Sequence, residues 1–295
     1  MSETPANAIK LTFPSLSKLV EYAQSPCKAE DEKRSSLTSD QDRFGGRSWY
    51  GTESLPDACK LALDGWEGPR VEVNRYVDEV RDHVQRFTLP SFVPTFDVSG
   101  GEVDVDRYLL GEPENMIEQT IMPTAKHGKV VRLIVAGTVS AMIDQDTINK
   151  RGAAIVALID ALRIAQHTLE IWVQHGVETY AAGQHKEWHC VTLLKAPEDQ
   201  VDLDSLMFAL AHPSMLRRLI FSVMEHESAL VRRQFHFHSG GGYGQCMSKV
   251  PEWIHADDDR PFDVVVDSKA LDNIDRSPED WLDGVLKGLE IIGDA

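Results

Sequence analysis

Residues 130–177 read VVRLIVAGTVSAMIDQDTINKRGAAIVALIDALRIAQHTLEIWVQHGV, and this stretch decides the fold. Residues 130–136 are a nearly continuous apolar run, which is typical of a strand that is covered on both faces. Apolar residues then recur at helical spacing from Ala153 to Ala165, and TLEIWV forms a second strand-like run. The stretch therefore predicts one β-α-β unit.

Further strands and helices are predicted C-terminal to this unit. They are a strand at 188–194, a helix at 202–212 capped by Asp202 or Asp204, a helix running into a strand at 215–224, a strand at 262–266, and a final helix that Ser277 opens and Leu289 closes. Because strands alternate with helices, we predict an α/β domain over residues 98–295. Its architecture is a three-layer sandwich with a mainly parallel sheet.

Residues 1–97 are predicted to form an N-terminal helical and extended region. Short helices are expected at 15–23, at 70–87, and from Ser54 or Pro56 to Leu63, where Gly65 ends the helix. Residues 26–48 are rich in charge, Ser and Gly, which predicts a flexible surface segment. Apolar and charged residues alternate over 98–110, which favours a hairpin or edge strand that extends the sheet.

The charge balance and the cysteines limit the classes of protein to which this chain can belong. The 295 residues include 30 Lys and Arg against 47 Asp and Glu, a formal net charge of −17 that repels polyanions at long range. The four cysteines contain no CxxC pair, and MSETPANAIK has no apolar signal-peptide core. Since no apolar run approaches the ~20 residues of a membrane helix, we predict no membrane partner and a cytoplasmic location.

The turn after the first buried strand is the first candidate site, because ligands of such sheets bind at the carboxyl ends of strands. Residues 137–142 hold one glycine, too few for a phosphate-binding loop. Thr138, Ser140, Asp144 and Asp146 carry oxygens that suit Mg²⁺. The alternative is that the aspartates cap the following helix, and their position just before that helix favours capping.

Residues 43–50, RFGGRSWY, are a second candidate site. Aromatic rings can stack on unpaired bases, and arginines can hold phosphates. The predicted nucleic-acid-binding residues are Arg43, Phe44, Arg47, Trp49 and Tyr50, with Lys150 and Arg151. The alternative is that the rings pin the loop to the core, as large rings usually do. The paired arginines at 217–218 and 232–233 are expected to be solvated.

The segment FHFHSGGGYGQC is a third candidate site. His236 and His238 would lie on one face of a strand and could bind zinc with Cys246. No regular spacing identifies a fourth ligand, so the alternative is a glycine loop with surface histidines. The sequence contains no GxSxG elbow, and His189 and Cys190 would point to opposite faces of a strand. We therefore predict a non-enzymatic protein with no cofactor and no assigned metal.

The C-terminal 165 residues or so resemble a von Willebrand factor A domain. The likeness lies in the buried strand, the small-residue turn ending in SAM, the helix and TLEIWV. That family carries an Asp-x-Ser-x-Ser metal motif, whereas this chain has Gly137, Val139 and Ala141 at the matching positions. The resemblance implies a degenerate domain that serves as an interaction scaffold and does not bind through Mg²⁺.

Most of the chain is also similar to an uncharacterised family of phage and plasmid proteins. The sequence segments that carry the similarity are FGGRSWYGT, the GW at 65–66, DVDRYLLGEPENM and RGAAIVALIDAL. The resemblance implies a phage protein that binds single-stranded DNA as a cofactor of a phage RNA polymerase. The location would then be the host cytoplasm.

Three hypotheses follow from the sequence. The first is a non-enzymatic phage or mobile-element accessory protein that binds single-stranded nucleic acid and supports phage transcription or replication. The alternative is a protein-protein interaction scaffold that uses the degenerate turn at 137–146. The third is a zinc-dependent activity around His236, His238 and Cys246. The partner's identity and a homo-oligomeric state stay open.

Overall fold

The computed structural model describes residues 4–37, 47–68, 90–123, 130–165, 167–181, 183–255 and 262–289. Its strands are β1 (Ala8–Phe13), β2 (Pro90–Asp97), β3 (Glu102–Val103), β4 (Met116–Pro123), β5 (Val130–Ala136), β6 (Thr168–Ala181), β7 (Gln184–Lys195), β8 (Gln245–Cys246) and β9 (Val264–Val266). A six-stranded sheet has the order β1-β7-β6-β5-β9, with β8 paired to β6. β1 is parallel to β7, and β5 is parallel to β6 and β9, whereas β6 and β7 form an antiparallel hairpin.

The helices are α1 (Leu16–Gln24), α2 (Arg47–Tyr50), α3 (Leu55–Asp64), α4 (Val105–Leu109), α5 (Gln145–Ile164), α6 (Leu203–Ala211), α7 (Phe221–Glu225), α8 (Ala229–Phe235), α9 (Glu252–His255), α10 (Ser268–Arg276) and α11 (Pro278–Gly288). A 3₁₀ turn spans Asp31–Lys33 and a π-helical turn spans Met215–Ile220. No helix in these described ranges is long and apolar enough to cross a membrane.

The predicted β-α-β unit is confirmed by β5, α5 and β6. Alternate side chains of β5 point to opposite faces of the sheet. Leu133 and Val135 belong to one core cluster, whereas Ile134 and Ala136 belong to another. Because both faces of β5 are covered, its apolar run is continuous and does not alternate.

Helices flank the mostly parallel sheet, which confirms the predicted α/β class and is consistent with a three-layer sandwich. α5, α6, α10 and α11 pack on the part of one face near β5, and α1, α3 and the π-helical turn pack on the part near β7. The opposite face packs against Val250 and against Ile254 of α9.

Side-chain caps set the starts of three helices where the sequence predicted them. Ser54, Asp202 and Ser277 each accept a hydrogen bond from a backbone N–H in the first turn of α3, α6 and α11. Gly65 ends α3 at φ +89°, a conformation that favours glycine.

The N-terminal region packs on the same α/β body. β1 adds a parallel strand to β7, and α1 and α3 join the core cluster that contains Phe208. The predicted domain boundary near residue 97 stays a prediction. The helix predicted at 70–87 lies outside the described residues.

The segment predicted to be flexible and exposed, 26–48, is in part buried. Arg34, Ser35 and Ser36 are 7%, 9% and 0% exposed. The prediction of a surface segment is wrong for these residues, because Glu225 pairs with the Arg34 guanidinium and accepts a hydrogen bond from the Ser36 backbone N–H. Residues 38–46 lie outside the described residues.

The segment 98–110 does not extend the central sheet. β3 pairs with β4 in a separate three-stranded sheet of order β2-β4-β3, and α4 follows it. The Asp104 carboxylate accepts hydrogen bonds from the Asp106 and Arg107 backbone N–H groups, both at 3.1 Å. This cap starts a helix where the alternation of apolar and charged residues had favoured a strand.

The segment 215–224 is helical throughout, so the strand predicted at its end is wrong. The π-helical turn runs directly into α7. The segment is buried on nearly every side, and an apolar run that is buried all round does not distinguish helix from strand.

A candidate binding cavity beyond strand β5

A cavity of about 580 Å³ lies beyond the carboxyl end of β5. This end of a parallel strand is where open α/β sheets bind ligands. The residues that line it are Ser35, Trp49, Tyr50, Thr138, Val139, Ser140, Ala141, Val177, Leu216, Arg217, Phe221, Met224, Gly240, Gly242, Tyr243, Gly244, Gln245 and Cys246. The cavity thus brings together parts of all three candidate sites that the sequence suggested.

The turn after β5 uses its oxygens within the protein. Thr138 Oγ1 accepts a hydrogen bond from the Gly176 backbone N–H at 2.8 Å, and Ser140 Oγ accepts one from the Met142 N–H at 3.3 Å. Asp144 accepts one from the Thr147 N–H at 2.7 Å. This hydrogen bond lowers the pKa of the Asp144 carboxyl. Asp144 is therefore the N-cap of α5, as the favoured interpretation predicted.

Gly137 occupies the position of the first aspartate in the resembled metal motif. A Cβ there would lie 2.8 Å from Cγ2 of Val173 and against the imidazole of His175. His175 is fully buried, and burial lowers the pKa of its imidazole to about 3. The backbone at 137 therefore has no room for a carboxylate side chain.

Arg217 is a buried cation in the cavity wall. It is 1% exposed, and its guanidinium donates to the backbone oxygens of Trp49 at 2.7 Å and Ile143 at 3.0 Å. The guanidinium lies 4.2 Å from the centroid of the Trp49 ring. Within the described part of the chain, no carboxylate lies within ion-pair distance of Arg217. Burial lowers its pKa to about 10, which leaves it charged at neutral pH.

Tyr243 also lines the cavity and is hydrogen-bonded to Glu225. Glu225 is 1% exposed and accepts hydrogen bonds from the Tyr243 hydroxyl at 2.5 Å and the Arg34 Nε at 3.0 Å. It also accepts one from the Ser36 hydroxyl. The Tyr243 ring stacks on Phe221 with centroids 3.9 Å apart. Burial and the Glu225 carboxylate raise the pKa of Tyr243, so its hydroxyl stays protonated at physiological pH.

The structure places only part of the 43–50 site at the cavity. Trp49 is half-buried, lines the cavity, and donates from Nε1 to the Ala141 carbonyl at 3.1 Å. Tyr50 is 2% exposed and lies under the Arg218 guanidinium at 4.1 Å. Tyr50 therefore has no free face for a base. Arg43 and Phe44 lie outside the described residues, as does the side chain of Arg47.

The two predicted cations on α5 do not line the cavity. Lys150 is exposed, whereas Arg151 is 8% exposed and forms an ion pair with Asp275 at 2.5 Å. Arg151 therefore ties α5 to α10 and is not available to phosphates.

The zinc prediction does not fit this geometry. His236 ends α8 in the left-handed conformation at φ 57°, so His236 and His238 do not lie on a strand. Their ring centroids are 6.3 Å apart. Among the residues that the structure describes, no group of three or more His, Cys, Asp or Glu side chains could hold a metal ion. Of the three proposed ligands, Cys246 alone lines the cavity.

Arg217, Arg218, Glu225 and Tyr243 were not predicted as site residues. The expectation that Arg217 and Arg218 are solvated is wrong, because the two side chains are 1% and 0% exposed. A signal was present: two arginines stand within the apolar run MLRRLIFSVM. Buried arginines need partners, and these find backbone carbonyls and aromatic faces that only the folded chain assembles.

A family model described as a domain of unknown function (DUF7192) matches residues 2–293. No curated protein and no solved structure matches the chain.

Proposed function

Since the chain belongs to the DUF7192 family of unknown function, we propose its function from the cavity: it is a non-enzymatic protein that binds single-stranded nucleic acid by inserting one unstacked base beside Trp49. The observation that carries the proposal is the pairing of the Trp49 ring with the buried Arg217 guanidinium in one cavity. The cavity's ~580 Å³ falls within the range of small-ligand pockets.

The chemistry of the lining supports a base as the ligand. Val139, Leu216 and Phe221 offer apolar surface to the base faces, and Arg217 places positive charge close by. Each stacked base contributes about 1–3 kcal/mol without reading sequence. The proposal replaces the stacking platform expected at 43–50 with a cavity in which the half-buried Trp49 ring, and not the buried Tyr50 ring, stacks on the base.

We extend the proposal to the setting that the resemblance implies. The protein acts in the cytoplasm, or in the host cytoplasm if it is phage-encoded, beside a phage RNA polymerase during transcription or replication. Single-stranded DNA is its nucleic-acid partner and the polymerase its protein partner.

The test is a fluorescence-polarisation titration of labelled oligothymidylate at low salt. The change Trp49→Ala should weaken binding by about tenfold, because one stacked base is lost. Tyr180→Ala is the matched control, since Tyr180 is 71% exposed and does not line the cavity. No binding at low salt, or equal losses in both variants, would overturn the proposal.

Cys246 offers a second test of the same site. Its thiol is free, exposed and part of the cavity lining. Alkylation with N-ethylmaleimide should block oligonucleotide binding because the added group fills the cavity mouth. Cys246→Ser should bind before and after the reagent. If alkylated wild type binds normally, the base does not enter this cavity.

A protein-interaction scaffold is the second candidate function. It is favoured by Met142, which is 88% exposed at the end of the cavity-lining turn. Exposed methionine suits an adaptable protein contact. A pull-down from infected or host cell extract should then recover a partner that Met142→Asp loses. Recovery of nucleic acid alone would count against the scaffold.

A further inference from the structure

The small sheet of β2, β3 and β4, with α4, has no core of its own over residues 95–118. No residue of this range is buried, and none belongs to a core cluster or packs against one. A small sheet needs a covered apolar face for stability in water. We call residues 95–118 the acidic arm.

The acidic arm exposes an unusual amount of apolar surface. The exposed large side chains are Phe96, Val98, Val103, Val105, Tyr108, Leu109 and Leu110. Leu109 and Leu110 are 75% and 77% exposed. Single exposed apolar residues are ordinary, but a cluster within a short segment marks an interaction site.

The charge of the acidic arm selects among partners. Residues 97–118 contain seven carboxylates, Asp97, Glu102, Asp104, Asp106, Glu112, Glu114 and Glu118, against the single cation Arg107. The Arg107 guanidinium stacks on Phe96 at 3.8 Å and lies 3.3 Å from the Glu112 carboxylate, so its charge is used within the arm. The surface that remains is apolar with negative charge around it.

We propose that the acidic arm is a docking site for a partner protein whose contact face is apolar and basic. A second copy of this chain would bring its own net charge of −17 and its own acidic arm, so like charges would oppose that contact. A nucleic acid would be repelled for the same reason. A basic protein face gains from both the charge and the apolar cluster.

The test uses three labelled synthetic peptides of equal length, built from leucine and lysine, leucine and glutamate, or serine and lysine. The full chain should bind the leucine–lysine peptide at least about tenfold more tightly than the other two, because the site needs both features. The double change Leu109→Ser with Leu110→Ser should weaken that binding by about tenfold. Glu114→Gln with Glu118→Gln should also weaken it.

The control variant is Leu230→Ser, since Leu230 is an equally large side chain, 66% exposed on α8. It should bind the leucine–lysine peptide as wild type does. Equal binding by the Leu109/Leu110 variant, or equal binding of the serine–lysine peptide, would overturn the proposal. So would a dimer in sedimentation velocity that the Leu109/Leu110 variant abolishes.

This inference is independent of the cavity. The Leu109/Leu110 variant should bind oligothymidylate unchanged, whereas Trp49→Ala should bind the peptide unchanged. If Trp49→Ala loses peptide binding, the peptide binds at the cavity and the acidic arm is not its docking site.

Discussion

Arg217 shows how a single residue can be held without a carboxylate partner in the described chain. Its two backbone acceptors lie on separate segments, Trp49 on α2 and Ile143 before α5. A planar guanidinium can reach both acceptors while stacking on a ring, and a lysine cannot. Arg217 therefore joins α2 to the turn before α5 and places a positive charge in the cavity wall.

We predict that Arg217→Lys lowers the free energy of unfolding by about 1–3 kcal/mol, because a buried acceptor loses its donor. Urea denaturation followed by circular dichroism measures the change. Arg233→Lys is the control, since Arg233 is exposed, and it should stay within about 0.5 kcal/mol of wild type. Equal midpoints for the two variants would contradict the role given to Arg217.

His175 gives stability a pH dependence. Burial lowers its pKa in the folded protein to about 3, below the value of about 6.5 in an unfolded chain. Between these values the unfolded state binds a proton that the folded state does not. Stability should therefore fall as pH drops below about 6.5, by roughly 1.4 kcal/mol per pH unit for this group.

The measurement is the urea midpoint over a pH series in wild type and His175→Asn. The variant should show a shallower loss of stability at acid pH, because its amide does not titrate. His236→Asn is the control, since His236 is exposed, and it should keep the wild-type slope. If stability depends on pH equally in His175→Asn and wild type, His175 is not the cause of the loss at acid pH.

At this scale, the sequence predicted residues whose role is local. Asp144 and Ser277 were identified as caps from their neighbours alone, because a cap bonds to its own helix. The Arg217–Trp49 and Glu225–Arg34 contacts depend on segments far apart in the chain. No local pattern encodes such contacts.

At the scale of elements, α5 and α6 approach each other closely at Gly152. A Cβ on Gly152 would collide with the Ala211 side chain and lie 2.7 Å from its Cα. The absence of a side chain at 152 lets the two helices touch, although glycine is a poor residue inside a helix. Packing has prevailed over helix propensity at this position.

We predict that Gly152→Ala destabilises the protein by about 1–3 kcal/mol through overpacking, despite the better helix propensity of alanine. Gly284→Ala is the matched control, because no atom lies within 4 Å of a Cβ on that α11 residue. It should raise stability by about 0.5–1 kcal/mol. Thermal unfolding of the two variants measures both changes in stability. A Gly152→Ala variant that is more stable than wild type would contradict this packing.

Elements with a strong period were predictable, whereas those set by surroundings were not. The apolar pattern predicts β5, and the apolar pattern together with an N-cap residue predicts α5 and α11. The π-helical turn has no sequence signature, and α4 depends on one aspartate within an alternating segment. The cavity is lined by segments that lie far apart in the chain, among them Trp49, the turn at 138–141 and the loop at 240–246, which is why its outline could not be read from the sequence.

At the scale of the whole molecule, the net charge of −17 limits how nucleic acid can bind. Each phosphate contact to a single strand contributes about −0.7 to the slope of log K against log salt. Base insertion with few phosphate contacts should give a slope shallower than about −2. The oligothymidylate titration repeated over a salt series measures it.

Lys150→Gln tests an exposed cation of the sequence-based site. The slope of log K against log salt for this variant should equal that of wild type, because Lys150 does not line the cavity. A slope near −5, or a slope that this change makes shallower by about 0.7, would indicate backbone binding and contradict base insertion.

The pairing of β1 with β7 has a consequence for how the chain is made. Ala8 lies opposite Glu187, and Phe13 lies opposite Thr192. The ribosome releases β1 before β7, and residues 14–183 must be synthesised between the two strands. Long-range pairing of this kind forms late, because a large loop must close before the hydrogen bonds between the two strands can form. In pulse-labelled hydrogen exchange, the amides of residues 8–13 should gain protection after those of β5 and β6, so β1 stays without its partner strand until β7 has been released and folded.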